Sequence, residues 1–292
     1  MSASSSKSSV TATLRWEIVI VLAVIFGMSG LRATLRLVEA LVPPTPLKGQ
    51  TAQLNPSQAP AAWLDVSLQV LSAGTLVAWG SLAVYMLWVH PVTTNPLRFL
   101  QWSGLSDVWH GLAAATAIGL PGLCFYGVAR AWGLSATVDP AAGVRAWWSY
   151  VLLVISACAT AWAEEVVVVG WLQTRLAQCG VSRAPRVVAS ALLRGLYHVY
   201  QGPSAGVGNA IMGLVFGTYF ERTGRVWPLV IAHAVIDCVA FGRSAASRPS
   251  AAARAVDNVP PQGRVTLAPR VYIYSMLGFT CSCVTCIFRG AG

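Results

Sequence analysis

Apolar residues run along this chain in long blocks without period-2 alternation, and shorter polar, arginine-bearing or Gly/Pro-bearing connections separate them. A helix needs roughly 20 such residues to cross about 30 Å of hydrocarbon. Seven blocks meet that need, at about 16–42, 66–90, 108–134, 146–175, 184–201, 205–222 and 226–243, and an eighth lies at about 271–288. The lack of alternation favours helices over barrel strands. The pattern predicts an all-α, polytopic transmembrane helical bundle of about seven or eight spans.

Composition agrees, with 55% hydrophobic and 10% charged residues, against about a quarter charged in a soluble globule. The pattern also divides the chain into regions. Residues 1–15 form a polar Ser/Thr-rich leader with Lys7 and Arg15, and residues 16–144 hold the first spans with a long Pro/Gln/Ala-rich exterior loop at 43–65. Residues 145–243 hold the four spans richest in polar positions. Residues 244–292 combine a Ser/Ala/Arg/Pro-rich linker at 244–269, expected to be disordered, with the last block. A cleaved secretory signal is the alternative for the first block. No small-x-small cleavage site follows it cleanly, and Arg32 and Arg36 interrupt its tail, which favours a retained span.

Basic residues flanking the blocks set an orientation, because cytoplasmic loops are enriched in Lys and Arg. A cytoplasmic N-terminus puts Lys7, Arg15, Arg98, Arg175, Arg183, Arg186, Arg222 and Arg225 inside, in a protein of the cell (plasma) membrane. Arg243, Arg248, Arg254 and Arg264 then fall outside, against the rule. The net charge of +10 is scattered rather than arranged as a basic stripe with interleaved aromatics, so the expected partner is the lipid bilayer and not nucleic acid. Seven cysteines show no paired CxxC spacing, and Cys281, Cys283 and Cys286 have no histidine nearby to complete a zinc site.

Chemistry has to come from polar residues inside the blocks, which are costly there and usually paired or functional. The stretch AWAEEVVVVGWLQTRL, from Ala161 to Leu176, carries Glu164 and Glu165; later blocks carry Arg194 and His198, then Asn209, then His233 and Asp237. At 1.5 Å per residue, Glu164 lies about 16 Å from Arg175, His198 about 18 Å from Arg186, and His233 and Asp237 about 12 and 18 Å from Arg225. Groups from three spans thus reach a similar depth. Residues four apart share a helix face, which aligns His233 with Asp237 and Arg194 with His198. Glu164 and Glu165 diverge by about 100°, so one is expected to do chemistry and the other to support it. Asn209 is a candidate supporting donor. The glycines of GLVFG, Gly213 and Gly217, are expected to pack within the bundle rather than to dimerise.

These residues resemble the CPBP group of intramembrane proteases, also called Abi, which includes the CAAX prenyl endopeptidases. Its motifs EExxxR, FxxxH and HxxxN/D are similar to EEVVVV at Glu164–Val169, RGLYH at Arg194–His198 and HAVID at His233–Asp237. The likeness covers roughly residues 145–243 and implies a catalytic helical core there. It implies hydrolysis of a peptide bond of a membrane-anchored protein or peptide, with Glu164 and His198 activating water and Glu165 supporting. His233 and Asp237 would stabilise the oxyanion. In a metal-dependent version, His198, His233, Glu164 and Asp237 would help hold Zn2+ or another divalent ion; the sequence leaves both versions open. Two positions depart from the pattern: Val169 stands where the family has arginine, and Arg194 where it has phenylalanine. Arg194 is expected to supply the missing charge to Glu165 from the neighbouring helix. A catalytically inactive scaffold and a proton-coupled transporter are the alternative functions.

Overall fold

The computed structural model describes residues 2–91, 95–142, 144, 146–246 and 266–267. The eighth block at 271–288, Cys281, Cys283, Cys286 and nearly all of the linker at 244–269 lie outside the described residues. Within them the chain is an all-α membrane bundle. Its helices are α1 (Ser2–Leu22), α2 (Met28–Leu41), α3 (Ala62–Val89), α4 (Leu105–Ala131), α5 (Trp147–Glu164), α6 (Leu172–Gln178), α7 (Arg183–His198), α8 (Pro203–Thr223) and α9 (Trp227–Ala246). A π-helical turn at Ala23–Gly27 joins α1 to α2, and another at Glu165–Trp171 joins α5 to α6. The seven predicted blocks therefore correspond to seven continuous helical rods, and the first begins well before residue 16, inside the stretch expected as a leader.

Among the described residues, four rods are long and apolar enough to cross a membrane: Thr11–Leu41, Ala62–Val89, Leu105–Ala131 and Trp147–Gln178. The apolar part of α9, Trp227–Gly242, is shorter. Helix α7 has 16 residues and reaches only about 24 Å. Its composition explains why: it carries Arg183, Arg186, Arg194 and His198, and its buried face holds Ser190 and Arg194. Outward-facing side chains on the long rods, such as Val19, Ile20, Leu31, Leu71, Trp88 and Leu120, are exposed; in a bilayer, acyl chains solvate them. Every residue of Glu165–Trp171 is buried. That turn packs in one cluster with Ile25 and Phe26, Leu87, Phe99, Phe216 and Leu229, so the centre of the bundle surrounds the glutamate-bearing rod.

Small residues bring α7 and α8 together. A Cβ on Gly195 would sit 2.7 Å from the Gly206 carbonyl, and one on Gly213 would sit 2.7 Å from the Ala191 backbone. Gly217 lies against Gln173 and Val187. The GLVFG glycines thus serve close packing inside the chain.

The stretch expected as a long exterior loop, 43–65, carries a short strand and packed contacts. Its strand β1 (Thr51–Gln53) pairs in parallel with β2 (Thr137–Asp139), in register Thr51 to Thr137, with the short β3 (Thr266–Leu267) on its other edge. Buried Gln50 donates to the carbonyls of Ala40 (2.7 Å) and Thr45 (3.0 Å). Tyr126 accepts from the Val138 amide at 3.0 Å. This small sheet lies at the end of the bundle where α7 stops. There Gly202 adopts φ +122° with its α-carbon close to the Leu134 carbonyl, which a Cβ would approach to 2.9 Å.

Arg175, expected at a cytoplasmic flank, is fully buried in the protein. Its Nε donates to Glu17 Oε1 at 2.8 Å, Nη1 to His90 O (3.0 Å) and Gln178 Oε1 (2.8 Å), and Nη2 to Met86 O (2.6 Å). Trp171 Nε1 donates to the same Glu17 oxygen at 3.2 Å. A counter-ion 158 residues upstream keeps the guanidinium inside, tying the first rod to the second and fourth.

Candidate active site

The rod α5–α6 places the glutamates. Leu172 N–H donates to the Val167 carbonyl, five residues back rather than four. This widened turn begins at Glu165 and runs through four consecutive valines, whose β-branched side chains crowd an ordinary α-helical turn. A π-turn leaves a carbonyl without its usual partner. Ser190 of α7 meets that need, its hydroxyl donating to Val168 O at 2.8 Å, both residues being fully buried.

Arg194 of α7 lies between the two carboxylates. It ion-pairs with Glu165 Oε1, with both side chains at 0% exposure, and its Nη2 lies 3.8 Å from Glu164 Oε2. Its guanidinium carbon also sits 5.4 Å from the centre of the Phe216 ring, a cation–π contact. The adjacent glutamates diverge, as neighbours on a helix do, yet one long arginine reaches both. Positive charge thus comes from α7 at the level where Val169, itself fully buried, supplies none.

Helix α9 completes the cluster. His233 Nδ1 lies 2.7 Å from Glu165 Oε1, and its Nε2 lies 3.7 Å from Asp237 Oδ2. Glu165 Oε1 is therefore shared by α7 and α9, which makes this carboxylate the joint of the three motif-bearing helices. His198 ends α7 with Nδ1 at 2.9 Å from Arg194 O. The bond to a carbonyl makes Nδ1 the protonated nitrogen and leaves Nε2 as the basic one. Asn209, by contrast, donates to Ala205 O of its own helix at 3.0 Å and has no hydrogen bond to the cluster among the described residues.

One further residue belongs to this site. Tyr197 donates its hydroxyl to Glu164 Oε2 at 2.7 Å. Its position beside His198 was visible in RGLYH, and a buried phenol hydroxyl needs a partner. Which carboxylate would meet it was not visible.

Glu164 and Glu165 thus have different neighbours. Glu165 is fully buried and held on one oxygen by two cationic or N–H groups; Glu164 is 7% exposed and held on one oxygen by a phenol. The first arrangement fixes a carboxylate in place, and the second leaves Glu164 Oε1 without a hydrogen bond among the described residues.

A divalent ion would need several of His198, His233, Glu164 and Asp237 to converge. Both histidines offer Nε2 with Nδ1 committed to an oxygen, the orientation typical of metal-bound imidazole. Among the described residues, however, no three His, Cys, Asp or Glu side chains come together as an ion site. In this arrangement the four do not form a binding set, and no chemical step below runs through a metal.

Residues 146–239 match the family model described as type II CAAX prenyl endopeptidase Rce1-like. No curated protein and no solved structure matches the chain. The matched segment starts just before α5 and ends within α9, so it holds Glu164, Glu165, Arg194, Tyr197, His198, His233 and Asp237 together. The first three rods of the bundle, α1–α2, α3 and α4, lie outside the match, and residues 146–239 are the part of the chain that is similar to the CAAX-protease family.

Proposed function

We propose that this integral membrane protein is an intramembrane endopeptidase that hydrolyses a peptide bond of a membrane-anchored protein or peptide. The observation that carries this reading is the division of labour between the glutamates: Glu165 is fully buried and binds Arg194 and His233, while Glu164 is partly open to solvent and is held, among the described residues, only on Oε2, by Tyr197. A purely structural ion pair gives no reason for that second carboxylate.

In the proposed reaction, a water held by Glu164 and His198 attacks the scissile carbonyl carbon. Its proton passes to Glu164 as the new C–O bond forms. The tetrahedral oxyanion is stabilised by His233, which Glu165 holds in orientation. Asp237 acts through His233, since a bare carboxylate facing an oxyanion would repel it. The proton then moves to the departing amide nitrogen as the C–N bond breaks, restoring Glu164. Arg194 balances the negative charge of the paired glutamates throughout.

The arginine missing at Val169 left an inactive scaffold as an alternative reading of the sequence. The Arg194–Glu165 contact supports the enzymatic reading instead, because the charge is present though its position has changed. The test is proteolysis of a mixed pool of membrane-anchored peptides by the purified protein in lipid, comparing wild type with Glu164→Ala. Cleavage lost in the variant supports the reading; cleavage unchanged in the variant overturns it. A chelator arm tests the version in which His198, His233, Glu164 and Asp237 hold Zn2+ or another divalent ion. We further place the N-terminus in the cytoplasm, on the distribution of arginines; labelling of a cysteine introduced at Ser4 in sealed vesicles tests that side.

A further inference from the structure

The Tyr197 hydroxyl is the one hydrogen-bond donor that the described residues give Glu164, at 2.7 Å on Oε2. The phenol is itself held. Its ring lies 5.0 Å from Phe26, centre to centre, and 4.7 Å from His198. Phe26 is buried and belongs to the π-turn Ala23–Gly27 of the first rod, outside the segment that matches the family. That rod is anchored in turn by Glu17, which Arg175 and Trp171 bind. A wall of the site is thus built from a helix about 140 residues before the motif it serves.

We infer that Tyr197 is a positioning residue for Glu164, and that the first rod, through Phe26, holds it there. By binding Oε2, the hydroxyl fixes the rotation of the carboxyl group and directs Oε1 away from α7's buried face toward the side where water is taken up. A glutamate has three rotatable bonds and, in a cluster containing Arg194 at 3.8 Å, would otherwise turn both oxygens onto the guanidinium. The competition is decided by distance: the phenol makes a hydrogen bond, and Arg194 is beyond hydrogen-bonding range of Glu164. This inference rests on the proposed role of Glu164 as base.

The test uses the full chain in lipid, with Tyr197→Phe as the main variant because it keeps the ring and its contact with Phe26. The first readout needs no substrate: the infrared carboxylate stretch that vanishes in Glu164→Gln is expected to shift in Tyr197→Phe. The second is cleavage of the anchored peptides. A hydrogen bond to a charged group corresponds to about tenfold to about a hundredfold in rate, so kcat is expected to fall by that factor with KM unchanged. Phe26→Leu, which leaves the hydroxyl in place but loosens the ring, is expected to show a smaller loss of kcat in the same direction. An unshifted band with wild-type kcat in Tyr197→Phe overturns the inference while Glu164→Gln remains inactive. Wild-type cleavage by Glu164→Gln overturns the base assignment and this inference with it, so the two failures are distinct.

Discussion

Two arginines fully buried among the described residues pair with glutamate, and the pairs are built differently. Around Arg175 every guanidinium nitrogen is engaged: Nε by Glu17, Nη1 by His90 and Gln178, Nη2 by Met86. Around Arg194, Nη2 alone carries the ion pair, while Nε, Nη1 and Glu165 Oε2 are buried with no hydrogen-bond partner among the described residues. A buried ion pair is tolerated when its remaining donors and acceptors are satisfied. The Arg175 guanidinium meets that condition and fastens three rods together. The Arg194 cluster does not, and it is the one in which a second carboxylate, two histidines and an aspartate assemble. In these two clusters the saturated guanidinium goes with a fastening role, and the unsatisfied one goes with the site where water and substrate are proposed to enter.

The comparison breaks most sharply at the carboxylates. Glu164→Ala should lower cleavage by about 10²- to 10⁴-fold, the scale of a lost general base, with little change in thermal unfolding. Glu17→Ala should do the reverse, costing about 3–5 kcal/mol by leaving Arg175 uncompensated while folded protein keeps its kcat. Equal effects of the two on kcat would remove the distinction.

The arginines come next. Arg194→Leu and Arg175→Leu should each cost about 3–5 kcal/mol, since each strands a buried carboxylate. Removing both partners separates them. Arg175→Met with Glu17→Leu should recover stability and cleavage, whereas Arg194→Met with Glu165→Leu should recover stability alone. A stable, fully active Arg194→Leu protein would sink the role assigned to that side chain.

Packing sharpens the contrast on a smaller scale. Gly195→Ala should cost about 1–3 kcal/mol, because its Cβ would press on the Gly206 carbonyl, and it should lower kcat as α7 shifts His198. Gly74→Ala, with nothing within 4 Å of the added carbon, should leave both unchanged. The smallest effect is expected from Ser190→Ala, about 1 kcal/mol for the uncapped Val168 carbonyl, read as a lower unfolding temperature.

Much of this was legible beforehand, for definite reasons. Long apolar blocks locate rods because hydrocarbon demands internally satisfied backbone, and all seven described rods lie where the blocks are. Glu164, Glu165, Arg194, His198, His233 and Asp237 stood out because ionisable groups are rare at such depth. The charge at Arg194 could be matched to Glu165 since the family's arginine was missing from Val169. Other features left no local trace. Four valines after two glutamates read as an ordinary apolar helix, and the widened turn there depends on Ser190 meeting Val168 O from another rod. The 43–65 stretch has a loop's composition, and its β1 strand exists because residues 137–139 lie beside it. Arg175 has the position of a flanking arginine, and Glu17 makes it an interior one.

The sequence by itself determined where the helices run and which of them carry ionisable groups, because hydropathy and helical spacing are properties of a single segment. Tertiary structure decided which arginine is saturated and which is not, which glutamate is sealed from solvent, and that Tyr197 and Phe26 stand near Glu164. Those outcomes depend on hydrogen bonds of about 3 Å between residues from 29 to 158 positions apart. Only the close approach of packed rods brings such groups within range.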